Sequence, residues 1–105
     1  MTALPRPASG EFDPASSGYV ALAPALDDRV RRLTAQRDRV RDLYARVNDD
    51  RAGYRYAPDK WSVREVLGHV CDAERILSYR VLRVALGDAP PLQGFDENTY
   101  VPAAD

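Results

Sequence analysis

Apolar positions along the chain fall into two blocks, roughly residues 25–48 and 61–86, flanked by stretches that carry most of the prolines and glycines. In the first block Leu26, Val30, Leu33, Arg37, Val40, Tyr44 and Val47 recur at alternating spacings of four and three. That is one stripe of a helix, widened by Leu43 and interrupted by Arg37. The pattern predicts a helix that starts near Pro24 or Asp27 and ends near Asn48. Proline in the first turn and the Asp27-Asp28 pair suit a helix N-terminus, where free N–H groups and the dipole favour anions. The opposite face carries Arg29, Arg31, Arg32, Asp38, Arg39, Arg41, Asp42 and Arg46. Mixed signs at these spacings read as a solvated face laced with ion pairs. Asn48-Asp49-Asp50 and Gly53 end the helix.

The second block opens with the clearest start signal in the chain. Ser62 is the N-cap and Glu65 follows three residues on, which makes a capping box, and Trp61 with Val66 forms a hydrophobic staple. The helix runs to about Leu86, with Gly87 as its left-handed terminator. Val63, Val66, Leu67, Val70, Leu77, Val81, Val84 and Ala85 form one broad face, and Cys71, Ile76, Leu82 and Leu86 lie off it. A helix this apolar on several sides is normally buried between neighbours. The first helix cannot cover it alone, so further helices or a partner chain are expected. Gly68, in the helix interior at a cost of roughly 1 kcal/mol relative to Ala, marks a place for close helix approach.

The remaining segments are predicted by exclusion. Residues 1–23, rich in Pro, Ala, Ser and Gly, read as a flexible lead-in that docks Phe12 or Tyr19 onto a helical domain spanning 24–105. Tyr54 to Lys60 reads as an extended connector, because Pro58 disfavours helix at Ala57. The tail from Asp88 to Asp105 reads as a turn-rich loop in which Asp96 to Val101 begin a third helix. The expected class is all-α: two long antiparallel helices with a flexible N-terminal lead-in.

Composition narrows the function more by exclusion than by assertion. One hundred and five residues hold one domain or part of one, with a modest core and marginal stability. Fifteen basic and 16 acidic residues give a net charge of −1, so no strong field favours nucleic acid or an anionic membrane. The arginines of the first helix are interleaved with Asp27, Asp28, Asp38 and Asp42, which denies it a basic footprint. All basic residues except Lys60 are arginine, a skew that reads as a trace of genome composition. No apolar run approaches the ~18–20 residues needed to cross a bilayer. No charged-then-apolar signal pattern opens the chain, and a cytoplasmic location is expected. Cys71 is the single cysteine, so it has no intrachain disulfide and is expected as a small buried apolar residue.

His69 is the only histidine. On the second helix it shares a line with Ala73, Ile76 and Arg80, and Glu65 and Asp72 flank it one turn to either side. Zinc and similar metals take imidazole and carboxylate ligands, so Glu65, His69 and Asp72 would offer three. The competing reading gives Glu65 to the capping box and leaves Asp72 to water. Ser62 and Ser78 are accounted for by capping and helix surface, and isolated glycines make no phosphate loop.

The run from Tyr54 through Lys60-Trp61-Ser62-Val63-Arg64-Glu65 to Gly68-His69-Val70 resembles the DinB-like superfamily, in particular its DinB_2-type members. The resemblance continues through Asp72-Ala73-Glu74-Arg75, Tyr79-Arg80, Leu82-Arg83, Gly87-Asp88 and Pro91-Leu92 to Gly94-Phe95-Asp96 and Tyr100-Val101. It covers about residues 25–101, and KWS-x-x-E-x-x-x-H is its most specific part. It implies that the chain is the front half of a four-helix bundle that is often dimeric. It also implies a divalent metal, zinc or nickel, held by one histidine on the second helix and two in an HxxxH pattern on the last. His69 matches the first ligand. Characterised relatives include thiol-dependent S-transferases and isomerases, which implies a metal-dependent enzyme, a small-molecule substrate and a homodimer, with no nucleic-acid or membrane partner. The other two histidines are lacking, and the chain ends where the rest of the bundle is expected. The implied metal site is therefore incomplete, and the chain reads as a fragment of a longer protein or a degenerate module. The alternative is a non-catalytic helical module that dimerises. Asp72, Glu74, Arg80, Asp96 and Tyr100 also fit the family pattern. An ion pair or hydrogen bond between helices is expected for Glu74 and Arg80, and a turn or helix cap for Asp96.

Overall fold

The computed structural model describes residues 5–23, 29–88 and 91–104. It is all-helical, with no strand among the described residues: α1 (Ser17–Leu22), α2 (Arg29–Tyr44), α3 (Asp49–Ala52), α4 (Val63–Ala85) and α5 (Glu97–Ala103). The chain divides into two compact units, Met1–Arg46 and Val47–Asp105.

In the first unit the lead-in carries more structure than its composition predicts. The Asp13 side chain accepts from the Ala15 amide at 2.8 Å and starts a 3-10 turn, Pro14–Ser16, that leads into α1. The Arg6 guanidinium donates to the carbonyl oxygens of Val20 (3.1 Å), Ala21 (3.2 Å) and Ala23. These are the carbonyls a helix leaves unsatisfied at its C-terminus, and a cation suits the dipole there. Of Phe12 and Tyr19, one of which was expected to dock, Phe12 is half-buried and Tyr19 is 81% exposed. The first of the two long helices expected from the pattern is α2, over 16 residues. The start expected at Pro24 or Asp27, with Leu26 and Asp28, lies outside the described residues. Of the expected stripe, Val40 and Tyr44 are half-buried, whereas Val30 and Leu33 are exposed.

The second unit is built around α4. Asn48 does not simply end the preceding helix: its side chain accepts from the Arg51 amide at 2.9 Å and caps the short α3. The connector is looped and not extended. Lys60 N–H bonds to the Ala57 carbonyl oxygen at 3.1 Å, closing a turn with Pro58 at its second position, where proline's fixed φ is preorganised. The Val63 amide then bonds to the Tyr54 carbonyl oxygen at 3.1 Å, tying the connector to the first turn of α4.

Both ends of α4 follow the sequence signals. Ser62 Oγ accepts from the Glu65 amide at 3.2 Å, and the Glu65 carboxylate accepts from the Ser62 amide at 2.7 Å. At the other end Gly87 has φ of 72°. There Gly87 N–H bonds to the Val84 carbonyl oxygen and Asp88 N–H to that of Arg83, the paired bonds of a Schellman cap. Asp96 caps α5 by accepting from the Asn98 amide at 3.0 Å and the Thr99 hydroxyl at 3.2 Å. α5 packs back on α4.

The burial along α4 reverses the expected polarity. Glu65, His69, Asp72, Ile76, Arg80 and Arg83 are half-buried, and their spacings of four and three place them on one face. The apolar stripe faces outward: Val66, Val70, Leu77, Val81 and Val84 are 40–70% exposed. The connector and the tail lie against the polar side, and α3 meets only the start of α4, where Val63 and Leu67 are half-buried. Only Val101 and Ser62 are buried among the described residues. Cys71, expected inside, is exposed, because it lies two residues beyond His69 and so on a different side of α4.

Candidate functional site

His69 stands in the second turn of α4, on the half-buried polar face. Trp61, just before the helix cap, lies against it with ring centroids 4.9 Å apart and planes tilted by 48°. A tilted aromatic contact of this kind fixes ring orientation as well as burying area. Trp61 directly precedes the Ser62–Glu65 capping box, so the capped helix start fixes the backbone from which the indole reaches the imidazole.

The two carboxylates that flank it are not aimed at a shared ligand. The Glu65 carboxylate takes a bidentate pair from the Arg55 guanidinium, with Nη2 to Oε1 at 2.9 Å, besides its bond from the Ser62 amide. Those contacts, Arg55 first, hold the Glu65 carboxyl down at about 2, well below its ordinary range. Asp72 accepts from Arg75 at 3.3 Å one turn on. Among the described residues no three of His, Cys, Asp or Glu come together as a metal-holding group. The donor set on the chain is thus one imidazole, with Glu65 engaged by Arg55 and Ser62. These residues do not fit a complete divalent-metal site by themselves, and the sequence-level trio of Glu65, His69 and Asp72 is not assembled as one.

The other residues singled out from the sequence have clear places. Arg80 donates through Nη2 to the Gln93 carbonyl oxygen at 2.9 Å, fastening the tail to α4, and Glu74 is exposed. Asp96 is the α5 cap, as its position in a turn-rich stretch suggested. Tyr100 packs its ring on Phe95 at 5.3 Å. Sequence reasoning missed Arg55, which sits ten residues before Glu65 in a segment without periodicity. It also gave no role to Arg83, whose Nε donates to Asp88 at 2.6 Å and whose guanidinium lies 5.6 Å from the Tyr79 ring centre.

No helix among the described residues is long and apolar enough to cross a membrane. No curated protein and no solved structure matches the chain. A family model does match, that of the DinB superfamily, over residues 11–105, nearly the full length; the chain belongs to the DinB superfamily.

Proposed function

We propose that this chain is the His69-bearing part of a metal-dependent enzyme of DinB type, of the thiol-dependent transferase kind. His69 would be one ligand to zinc or nickel, and the remaining ligands would come from elsewhere, such as another subunit. One observation carries the reading. His69 is held by Trp61 on the half-buried face of α4, while Glu65 beside it is neutralised by Arg55. The helix thus presents a single oriented imidazole with its neighbouring charge already satisfied. The test is metal content per chain, by elemental mass spectrometry on protein purified without an affinity tag, beside His69→Ala. Zinc or nickel that disappears in the variant is the expected result. Metal-free wild-type protein, or metal retained by the variant, would overturn the reading.

The second reading is a non-catalytic helical module that pairs with a second copy of itself, and the outward apolar stripe of α4 favours it. The stripe is close to symmetric about residue 75. In an antiparallel pair centred there, Val66 would meet Val84 of the partner subunit and Val70 would meet the partner's Val81, which suits side-by-side helix packing.

A further inference from the structure

We propose that the cleft between the C-terminal half of α4 and the 92–100 segment is a binding site for a small aromatic carboxylate. This goes beyond the metal reading and does not depend on it. From His69 to Arg80 is 11 residues, roughly 16 Å along the helix axis at 1.5 Å per residue.

The cleft has a volume of about 320 Å³ and is walled by Ile76, Leu92, Phe95, Tyr79 and Tyr100, with Arg80 and Arg83 reaching in. That volume is at the small end of ligand sites, which run from ~300 Å³ upward. No carboxylate lines it. The two arginines differ in how they are engaged. Arg83 is paired with Asp88 and lies near the Tyr79 ring. Arg80 uses one donor, on the Gln93 carbonyl oxygen, out of the five a guanidinium carries. It is half-buried, and no ion pair to it is formed among the described residues. A half-buried cation with spare donors in an aromatic-walled cleft selects for an anion that a planar fork can grip.

The charge balance sets the class of anion. Asp88 offsets Arg83, so one positive charge remains uncompensated, which suits a monoanion. A carboxylate accepts the Arg80 fork, and a planar ring body fits beside Phe95 and Tyr100, which already pack at a tilt. A phosphate monoester, carrying close to two charges, would lack a second free cation.

The experiment is titration calorimetry of the full chain with benzoate, benzamide and phenyl phosphate at neutral pH. Saturable one-site binding of benzoate is expected. Benzamide, which keeps the shape and loses the charge, should bind roughly tenfold or more weakly, and Arg80→Gln should weaken benzoate to a similar degree. Arg75→Gln, on the same helix but outside the cleft, should leave benzoate binding unchanged. Absence of saturable benzoate binding, equal binding of benzamide, or an unchanged affinity in Arg80→Gln would each overturn the site. Phenyl phosphate binding roughly tenfold tighter than benzoate overturns the monoanion assignment. Should Arg80→Gln lose its helical circular dichroism, the benzoate and benzamide comparison on the unaltered chain decides alone.

Discussion

Glu65 closes the start of α4 against two partners at once, the Ser62 amide and the Arg55 guanidinium. With its folded-state value at about 2 and its ordinary value at 4.5, the charged form is the one the fold favours. The stabilisation is therefore complete above pH 4.5, and it is lost as pH falls from 4.5 through about 2. Glu65→Gln keeps the shape and gives up the charge. Urea midpoints of the two proteins should differ most near neutral pH and converge across that acid window; a gap that stays constant down to pH ~2 would sink the account. The effect should be small, because Arg55 remains 43% exposed and water screens the pair. At this scale the sequence was half legible. Ser62 and Glu65 could be read because a capping box is local and has a fixed spacing. Arg55 could not, because the Pro58 turn that folds it back has no periodic signature. The Trp61 partner was also hidden: a residue before the cap is not bound by helical spacing, and its ring lies against His69.

At the scale of elements, α4 gives the cleanest test, since one substitution should act with opposite signs at the glycine within it and at the glycine just past its end. Gly68 is in the helix interior, and a methyl group added there meets nothing within 4 Å. Gly68→Ala should stabilise the helix by about 1 kcal/mol, the propensity difference alone. Gly87 holds φ of 72° at the Schellman cap, where a Cβ is strained, and Gly87→Ala should cost about 1 kcal/mol or somewhat more. Thermal unfolding followed by circular dichroism reads both. A loss on Gly68→Ala would instead place a neighbouring helix against that glycine, as its position in the sequence suggested. The limits of α4 and the presence of α5 were legible because Ser, Asp and Gly at helix ends report specific hydrogen bonds. α1 was not, since it is six residues long and Arg6 reaches its C-terminal carbonyls from a Pro-rich stretch.

For the whole molecule, the pattern of residues demanded a cover for the apolar stripe of α4, and the described residues of the Val47–Asp105 unit cover mainly the polar face, with α3 reaching only the start of the helix. That outcome follows from what the connector and tail contain. Arg55, Gln93 and Asp88 find charged or hydrogen-bonding partners on α4, so these segments dock where such groups lie. What binds the stripe is not encoded in the periodicity of α4, which states only that something apolar must. The near-symmetry of the stripe about residue 75 makes a second copy a specific answer, and it can be tested without reference to metal. Sedimentation equilibrium of the intact chain should show an apparent mass that rises with concentration toward twice that of one chain. Leu77→Lys with Val81→Lys places two like charges at the centre of the stripe, where both residues are exposed in the single chain (53% and 68%). Both side chains are mostly exposed, so the variant should keep its helicity and remain at the mass of one chain. A wild-type protein that holds the single-chain mass at every concentration while unfolding cooperatively would show that the stripe is tolerated in water, and self-pairing would fall.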